Sequence, residues 1–197
     1  GSSNVIVVPN PNRLTVVPQL DSNGVAVTYK ITPTIVTLST SHWFARDWVG
    51  IYQVGGATYS SYVYVNNKLG YVEMDAPRKP GMYYIAYNSA EQKDEPAVVS
   101  EPFEIRNHDS LQAKFQDAFL RINWKLYTVA EHAKDFITVV DRTVNPDKEI
   151  YNTYCDHRKH WATMSNPKPD MTHEYEIRYH SYLVGTSKPY KTAIVDK

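Results

Sequence analysis

Apolar and polar positions alternate along many short segments of the chain. In residues 24–33, apolar side chains occupy every second position from Val25 to Ile31, with Ala26, Thr28 and Lys30 between them. A strand with one buried and one solvated face produces this period of two. Similar segments, bounded by turn-forming residues, cover 4–9, 13–18, 48–54, 60–65, 70–77, 81–89, 101–106, 118–129, 134–142 and 173–181. Short strands at regular spacing predict an all-β fold of the sandwich type.

The second half of the chain repeats three features of the first half in the same order. The matched segments are 46–54 with 134–142, 81–89 with 173–181, and 100–103 with 187–190. A repeat of this length predicts two tandem immunoglobulin-like β-sandwich domains. We place the first domain at residues 4–107 and the second, a divergent repeat of the first, at residues 108–197.

The segment RDWVGIYQVGG, residues 46–56, could be either a functional loop or a strand of the sandwich. The acid and the aromatic residue recur as Asp135 and Phe136, but the double glycine does not recur. A phosphate-binding loop would need a following helix and a Gly-Lys-Ser/Thr ending, so the glycines indicate a turn. We therefore interpret the segment as a strand, in which Asp47 braces a turn. Side chains expected in the core or at its edge are Trp48, Ile51 and Val54.

The order of motifs in the first half resembles the SKICH domain, an immunoglobulin-like β-sandwich of inositol polyphosphate 5-phosphatases and autophagy-receptor coiled-coil proteins. The resemblance covers residues 4–107 and is weak in the second half. It implies a non-catalytic module that binds proteins or localises its carrier, with no catalytic residue to carry over. The matching segments are Val25 to Ile31, Asp47 to Gly55, Tyr62 to Val65, Tyr83 to Tyr87 and Ser100 to Ile105.

The charge and cysteine content narrow the classes of partner and compartment. Lys plus Arg and Asp plus Glu number 21 each, so the formal net charge is zero. Nucleic-acid binding depends on neutralising phosphates, and we expect none here. One cysteine excludes a disulfide framework within the chain, which favours a reducing, cytoplasmic location. No apolar run reaches the roughly 20 residues of a membrane helix.

The segment YCDHRKHW, residues 154–161, is the best candidate in the sequence for a metal site or a catalytic residue. Cys155, His157 and His160 are residue types that ligate zinc, but a closed site needs four ligands and no second cluster follows. A catalytic cysteine would need a nucleophile signature that the segment lacks. We therefore favour a structural interpretation, with no cofactor and no enzymatic activity. A metal-dependent activity around these three residues is the less favoured alternative.

Exposed tyrosines are the best candidates for binding. Alternation places Tyr84 on the face opposite Tyr83, and Tyr62 and Tyr64 on a common face. Aromatic residues are enriched at protein interfaces, so we predict a protein partner of unknown identity for a scaffold or recruitment module. The turn at 75–81 adds Arg78 and Lys79. The alternative is recruitment to membranes or phosphoinositides through such basic turns, although so few charges predict only weak contact with acidic lipids.

Overall fold

The computed structural model describes residues 11–35, 46–65, 69–90 and 95–196 of the chain. The chain divides into two compact units, Gly1–Arg106 and Asn107–Lys197, termed unit 1 and unit 2. All regular secondary structure in the described ranges is β-strand, and none of it is a helix able to cross a membrane. The strand predicted at 4–9 lies outside the described residues.

Unit 1 pairs its strands into two antiparallel sheets. One sheet has the order β1-β2-β5, and the other has the order β4-β3-β6-β7, with β8 also pairing with β6. The strands are β1 (Arg13–Leu20), β2 (Ala26–Thr34), β3 (Trp48–Gln53), β4 (Tyr59–Tyr64), β5 (Val72–Asp75), β6 (Gly81–Asn88), β7 (Val98–Val99) and β8 (Phe103–Ile105).

Unit 2 repeats this arrangement. Its sheets have the orders β9-β10-β13 and β12-β11-β14-β15, so each strand occupies the place of a strand in unit 1. The strands are β9 (Ser110–Gln116), β10 (Phe119–Lys125), β11 (Phe136–Asp141), β12 (Glu149–Tyr154), β13 (Trp161–Met164), β14 (Tyr175–His180) and β15 (Lys191–Ile194). The predicted fold class, all-β with two tandem immunoglobulin-like sandwiches, is confirmed.

Each unit encloses its own apolar core between its two sheets. Ile31, Ile51 and Ile85 in unit 1 have no exposed surface, and Ile122 and Ile177 in unit 2 have none either. Burial of each such side chain contributes about 1.5–3 kcal/mol to stability. The period of two therefore identified the core-facing positions correctly in these strands.

Two expected core positions are exposed instead. Val27 is the extra residue of a β-bulge. The consecutive residues Gln19 and Leu20 of β1 pair with Thr28 and Ala26 of β2, so Val27 between them has no partner in the ladder. A bulge leaves its extra residue outside the ladder, and Val27 is 44% exposed. Val54 is 51% exposed because it follows the last residue of β3 and begins the turn.

The double glycine forms a turn, as predicted. The N–H of Gly56 donates to the carbonyl oxygen of Gln53 at 2.9 Å, and Gly55 between them has a φ of 79°. A positive φ at the third position of a β-turn is the type II geometry that glycine adopts without strain. Gly55 is therefore the glycine that the chain reversal between β3 and β4 requires.

A fully buried aspartate stands immediately before β3. The Asp47 carboxylate accepts hydrogen bonds from the Tyr87 hydroxyl at 2.5 Å and from the Ala90 N–H at 2.7 Å. The carbonyl oxygen of Asp47 accepts the Val65 N–H at 2.8 Å. Burial, together with the adjacent carboxylate, raises the pKa of Tyr87 above its ordinary value, so its hydroxyl keeps the proton that it donates. The predicted bracing role of Asp47 is confirmed.

Unit 2 contains the same brace, built from Asp135. Its carboxylate accepts the Tyr179 hydroxyl at 2.8 Å and the Tyr182 N–H at 2.7 Å. Its carbonyl oxygen accepts the Cys155 N–H at 2.9 Å. In both units the N–H donor named here lies three residues after the tyrosine, and in unit 2 the His132 N–H also donates to the carboxylate, at 2.8 Å. The sequence match of Asp135 to Asp47 therefore corresponds to a shared set of three contacts.

One part of the repeat alignment is wrong. The N–H of Tyr190 donates to the carbonyl oxygen of Tyr179, the position that Ala97 occupies relative to Tyr87. Phe103 pairs instead with Tyr83, at the other end of β6. The segment 187–190 therefore does not occupy the place of 100–103, although the two segments look alike in sequence.

The brace makes a testable contribution to stability. Tyr87→Phe removes the donor to a buried carboxylate while keeping the ring, and we expect a loss of about 1.5–3 kcal/mol in the free energy of unfolding. Urea unfolding followed by fluorescence measures the loss. Tyr84→Phe, on the outer face of the same strand, should change stability by less than about 0.5 kcal/mol. Equal effects of the two substitutions would contradict the role given to the brace.

Candidate functional site

The outward side of the β4-β3-β6 sheet in unit 1 carries a cluster of six aromatic side chains. The strand register forms rows across the sheet, because Trp48 lies between Tyr64 and Asn88, and Tyr52 lies between Tyr59 and Tyr84. Tyr62 lies opposite Gly50 in the row between them. We call this cluster the tyrosine face, and it consists of Trp48, Tyr52, Tyr59, Tyr62, Tyr64 and Tyr84.

The rings of the tyrosine face contact one another continuously. Tyr52 and Tyr84 stack with their ring centroids 5.2 Å apart, at an interplanar angle of 10°. Trp48 meets Tyr59 and Tyr62 edge-on at 5.4 and 5.9 Å, and Tyr64 meets Tyr62 at 5.6 Å. Edge-to-face and offset-stacked pairs at these distances are favourable. The face is therefore an ordered surface in which each ring supports its neighbours.

Gly50 gives the rings the space that they occupy. A Cβ atom at this position would lie 2.8 Å from the Trp48 ring and 3.0 Å from the Tyr52 ring. Neither distance leaves room for a side chain, so the two rings cover the backbone of the glycine. Trp48, which was expected in the core or at its edge, consequently lies half-buried on the outward face beneath the tyrosines.

The predicted binding tyrosines lie together on this face. Tyr62 and Tyr64 are 46% and 57% exposed, and Tyr84 is half-buried in β6, on the other side of β3. Arg78 and Lys79 are exposed in the turn between β5 and β6, where the Lys79 carbonyl oxygen accepts the Tyr83 hydroxyl at 2.8 Å. The basic pair therefore belongs to a turn that the core anchors, and it makes no ring contact within the described residues.

The matching face of unit 2 has a different composition. Thr138 and Asn152 occupy the places of Gly50 and Tyr62, and Glu176 occupies the place of Tyr84. Glu176 forms an ion pair with Arg178 at 2.6 Å. Two places keep an aromatic ring, because Phe136 and Tyr154 correspond to Trp48 and Tyr64. The places of Tyr62 and Tyr84 carry a polar and a charged side chain, so the fold itself does not require aromatic residues there.

The structure separates Cys155 from the two histidines near it in sequence. The Cys155 thiol lies in the core of unit 2, and burial raises its pKa to about 12. His157 and His160 instead meet Glu131, each with a ring nitrogen 3.1 Å from the same carboxylate oxygen. In the part of the chain that the structure describes, no group of three His, Cys, Asp or Glu side chains is arranged to hold a metal ion.

Sequence reasoning missed Glu131 as the partner of these histidines. Glu131 lies in the segment before β11, which has no strand alternation and no recognisable motif. The three residues come together because β12 ends at Tyr154 and the following turn returns toward that segment. A contact of this kind depends on the loop path, which the sequence pattern did not reveal.

Comparisons with known proteins find only distant similarity. No family model and no curated protein matches it. A two-domain fibronectin type-III segment of chicken tenascin is 12% identical, with a TM-score of 0.33, over 96% of this chain and 100% of that one. The FN1–FN3 domains of chicken CNTN1 are 16% identical, with a TM-score of 0.32, over 93% and 66% of the two chains. The ligand-binding domain of human OSCAR is 14% identical, with a TM-score of 0.30, over 94% and 95%.

The buried thiol leads to a chemical prediction. Because its pKa is raised to about 12, Cys155 holds its proton at neutral pH, and the thiolate is the reactive form. We expect 5,5′-dithiobis-(2-nitrobenzoic acid) to label the folded protein very slowly and the urea-unfolded protein at the rate of a small thiol. Rapid labelling of the folded protein would contradict the burial of the side chain.

Proposed function

We propose that the protein is a non-catalytic interaction module that binds a protein partner through the tyrosine face of unit 1. The single observation that carries this proposal is the group of six contacting aromatic rings on a solvent-facing sheet surface. Aromatic side chains bring large apolar area and a polar tip with few rotatable bonds, and they dominate the energetics of protein interfaces.

The contrast between the two units supports the proposal. Both units have the same strand order, and unit 2 carries Asn152 and Glu176 at the places of Tyr62 and Tyr84, while Phe136 and Tyr154 keep aromatic rings at two other places. Exposing aromatic side chains to water is unfavourable, and unit 2 shows that this sheet folds with fewer of them. A binding role gives a reason for the aromatic surface that core packing does not supply.

The resemblance of residues 4–107 to the SKICH domain is consistent with this proposal. Domains of that kind would bind proteins or localise their carrier without catalysing a reaction. A scaffold or recruitment role in the cytoplasm is the corresponding proposal for this chain. Burial of Cys155, its one cysteine, fits a protein that does not depend on disulfides.

Affinity capture with matched variants tests the proposed face. We expect wild-type protein to retain a partner from a native extract at moderate salt. Tyr62→Ala combined with Tyr64→Ala should weaken that retention about tenfold or more, because truncating a central aromatic anchor costs about 2 kcal/mol. The tyrosine pair has a control in unit 2, Tyr154→Ala combined with Tyr182→Ala, which removes exposed rings outside the tyrosine face.

The control distinguishes binding through the tyrosine face from non-specific binding through any exposed aromatic residue. Loss of the captured protein with the unit 2 variant, or its retention by the unit 1 variant, would rule out the tyrosine face as the binding surface. Circular dichroism of each variant would show that the fold is intact before binding is compared.

The basic turn supports one competing role, contact with anionic lipid. Arg78 and Lys79 are both exposed, and basic residues near an anionic membrane contribute about 1 kcal/mol each. We expect flotation with phosphatidylserine vesicles to be weak at low salt and absent at physiological salt. Strong flotation that Arg78→Gln combined with Lys79→Gln abolishes would favour membrane recruitment instead.

A further inference from the structure

From the edge of the tyrosine face we infer that two copies of this chain pair through their β4 strands, antiparallel, about a two-fold axis at Val63. The inference deepens the proposed function, since it names a second copy as a partner of the same face. It rests on the hydrogen-bond direction along β4, on the composition of that strand, and on the match of its edge to itself.

The direction of the main-chain groups on β4 follows from the strand register. The Val65 N–H donates to the Asp47 carbonyl oxygen, so this pair is hydrogen-bonded. Hydrogen-bonded and non-hydrogen-bonded pairs alternate along an antiparallel ladder. Tyr64 and Tyr62, opposite Trp48 and Gly50, are therefore non-hydrogen-bonded positions. Their N–H and C=O groups point away from β3, toward the outer edge.

The part of that edge around Val63 lacks the features that usually prevent strand pairing. Proteins protect edge strands with charged residues, proline, bulges or short length, and the bulge of β4 lies at Ser60, outside the Tyr62–Tyr64 pairing. Among the edge strands in the described ranges, those longer than four residues are β1, β4, β9 and β12. Arg13 and Pro18 occur in β1, Lys114 occurs in β9, and Glu149 occurs in β12. The sequence of β4, YSSYVY, contains no charge and no proline.

A two-fold axis at Val63 pairs the β4 edge of one copy with the β4 edge of the other. In that register Tyr62 of each copy lies opposite Tyr64 of the other copy, and each such pair exchanges two hydrogen bonds. All outward N–H and C=O groups of Tyr62 and Tyr64 then have partners. The paired side chains share the outward face, where cross-strand aromatic pairs are favourable.

Charge does not oppose the pairing. The formal net charge of the chain is zero, and β4 brings no charged side chain to the contact. A chain with little net charge has little long-range repulsion between copies. A second copy therefore meets an uncharged edge with the complementary set of donors and acceptors.

Cysteine cross-linking tests the register. Val63→Cys places two thiols across a non-hydrogen-bonded pair, about 4.5 Å apart at Cα, within the reach of a disulfide. Ser61→Cys is the matched control, on the same side of the same strand. The axis would separate its two copies by about 13 Å, four residues at about 3.3 Å each. Cys155, 7% exposed, contributes little to cross-linking.

We expect mild oxidation of the 197-residue Val63→Cys protein to give a dimer on a non-reducing gel, and the Ser61→Cys protein to remain monomeric. Equal cross-linking of the two variants, or none with Val63→Cys, would overturn the proposed register.

Sedimentation equilibrium tests the dimer without relying on a cysteine variant. The weight-average mass of wild-type protein should rise with concentration from 22.6 kDa toward twice that value. Tyr64→Lys, which adds an edge charge, should weaken dimerisation about tenfold or more. Tyr154→Lys, the matching position of unit 2, should leave dimerisation unchanged. A wild-type mass that stays at one copy into the millimolar range would overturn the inference.

The two proposals fail separately. A protein that is monomeric, yet captures another protein in a manner that depends on Tyr62 and Tyr64, would retain the proposed function and exclude the second copy as partner. Self-association that survives Tyr64→Lys would place the contact elsewhere and exclude the β4 edge.

Discussion

The sandwich of each unit depends on a buried aspartate that joins three segments of one sheet. A buried carboxylate destabilises a protein unless hydrogen bonds replace its water. Asp47 receives those bonds from the Tyr87 hydroxyl and the Ala90 N–H, while its carbonyl oxygen holds the N–H of Val65. The start of β3, the segment after β6 and the end of β4 are therefore fixed at one corner. A purely apolar residue could fill this space but could not accept these donors.

The brace fixes the sheet whose outer face differs between the units. Once the inward positions and the corner are set, the outward positions of β4, β3 and β6 contribute little to the core. Unit 2 uses them for the ion pair of Glu176 with Arg178 and for one aromatic pair, Phe136 with Tyr154, whereas unit 1 uses them for six contacting aromatic rings. The side chains that stabilise unit 1 and those of its proposed binding surface thus lie on opposite sides of the same strands.

The period of two in the sequence was enough to predict the fold class and most central strands. Central strands face the core with large apolar side chains, whereas β7, with two residues, and β13, with four, are too short to establish a period. The pairing of Asp47 with Tyr87 could not be read from spacing, because 40 residues and the connections β3–β4, β4–β5 and β5–β6 separate them. Alternation did place Tyr62, Tyr64 and Tyr84 on outward positions. It did not show that all six rings touch.

The shared register of the two units also defines which outward residues correspond. Gly50 corresponds to Thr138 and Tyr62 to Asn152, because both pairs occupy the same places opposite their neighbours in the ladder. A recognition surface could therefore be transplanted from one unit to the other residue by residue, leaving the buried framework untouched. The chain thus offers a second sheet surface on which a new specificity could arise while the tyrosine face of unit 1 stays unchanged.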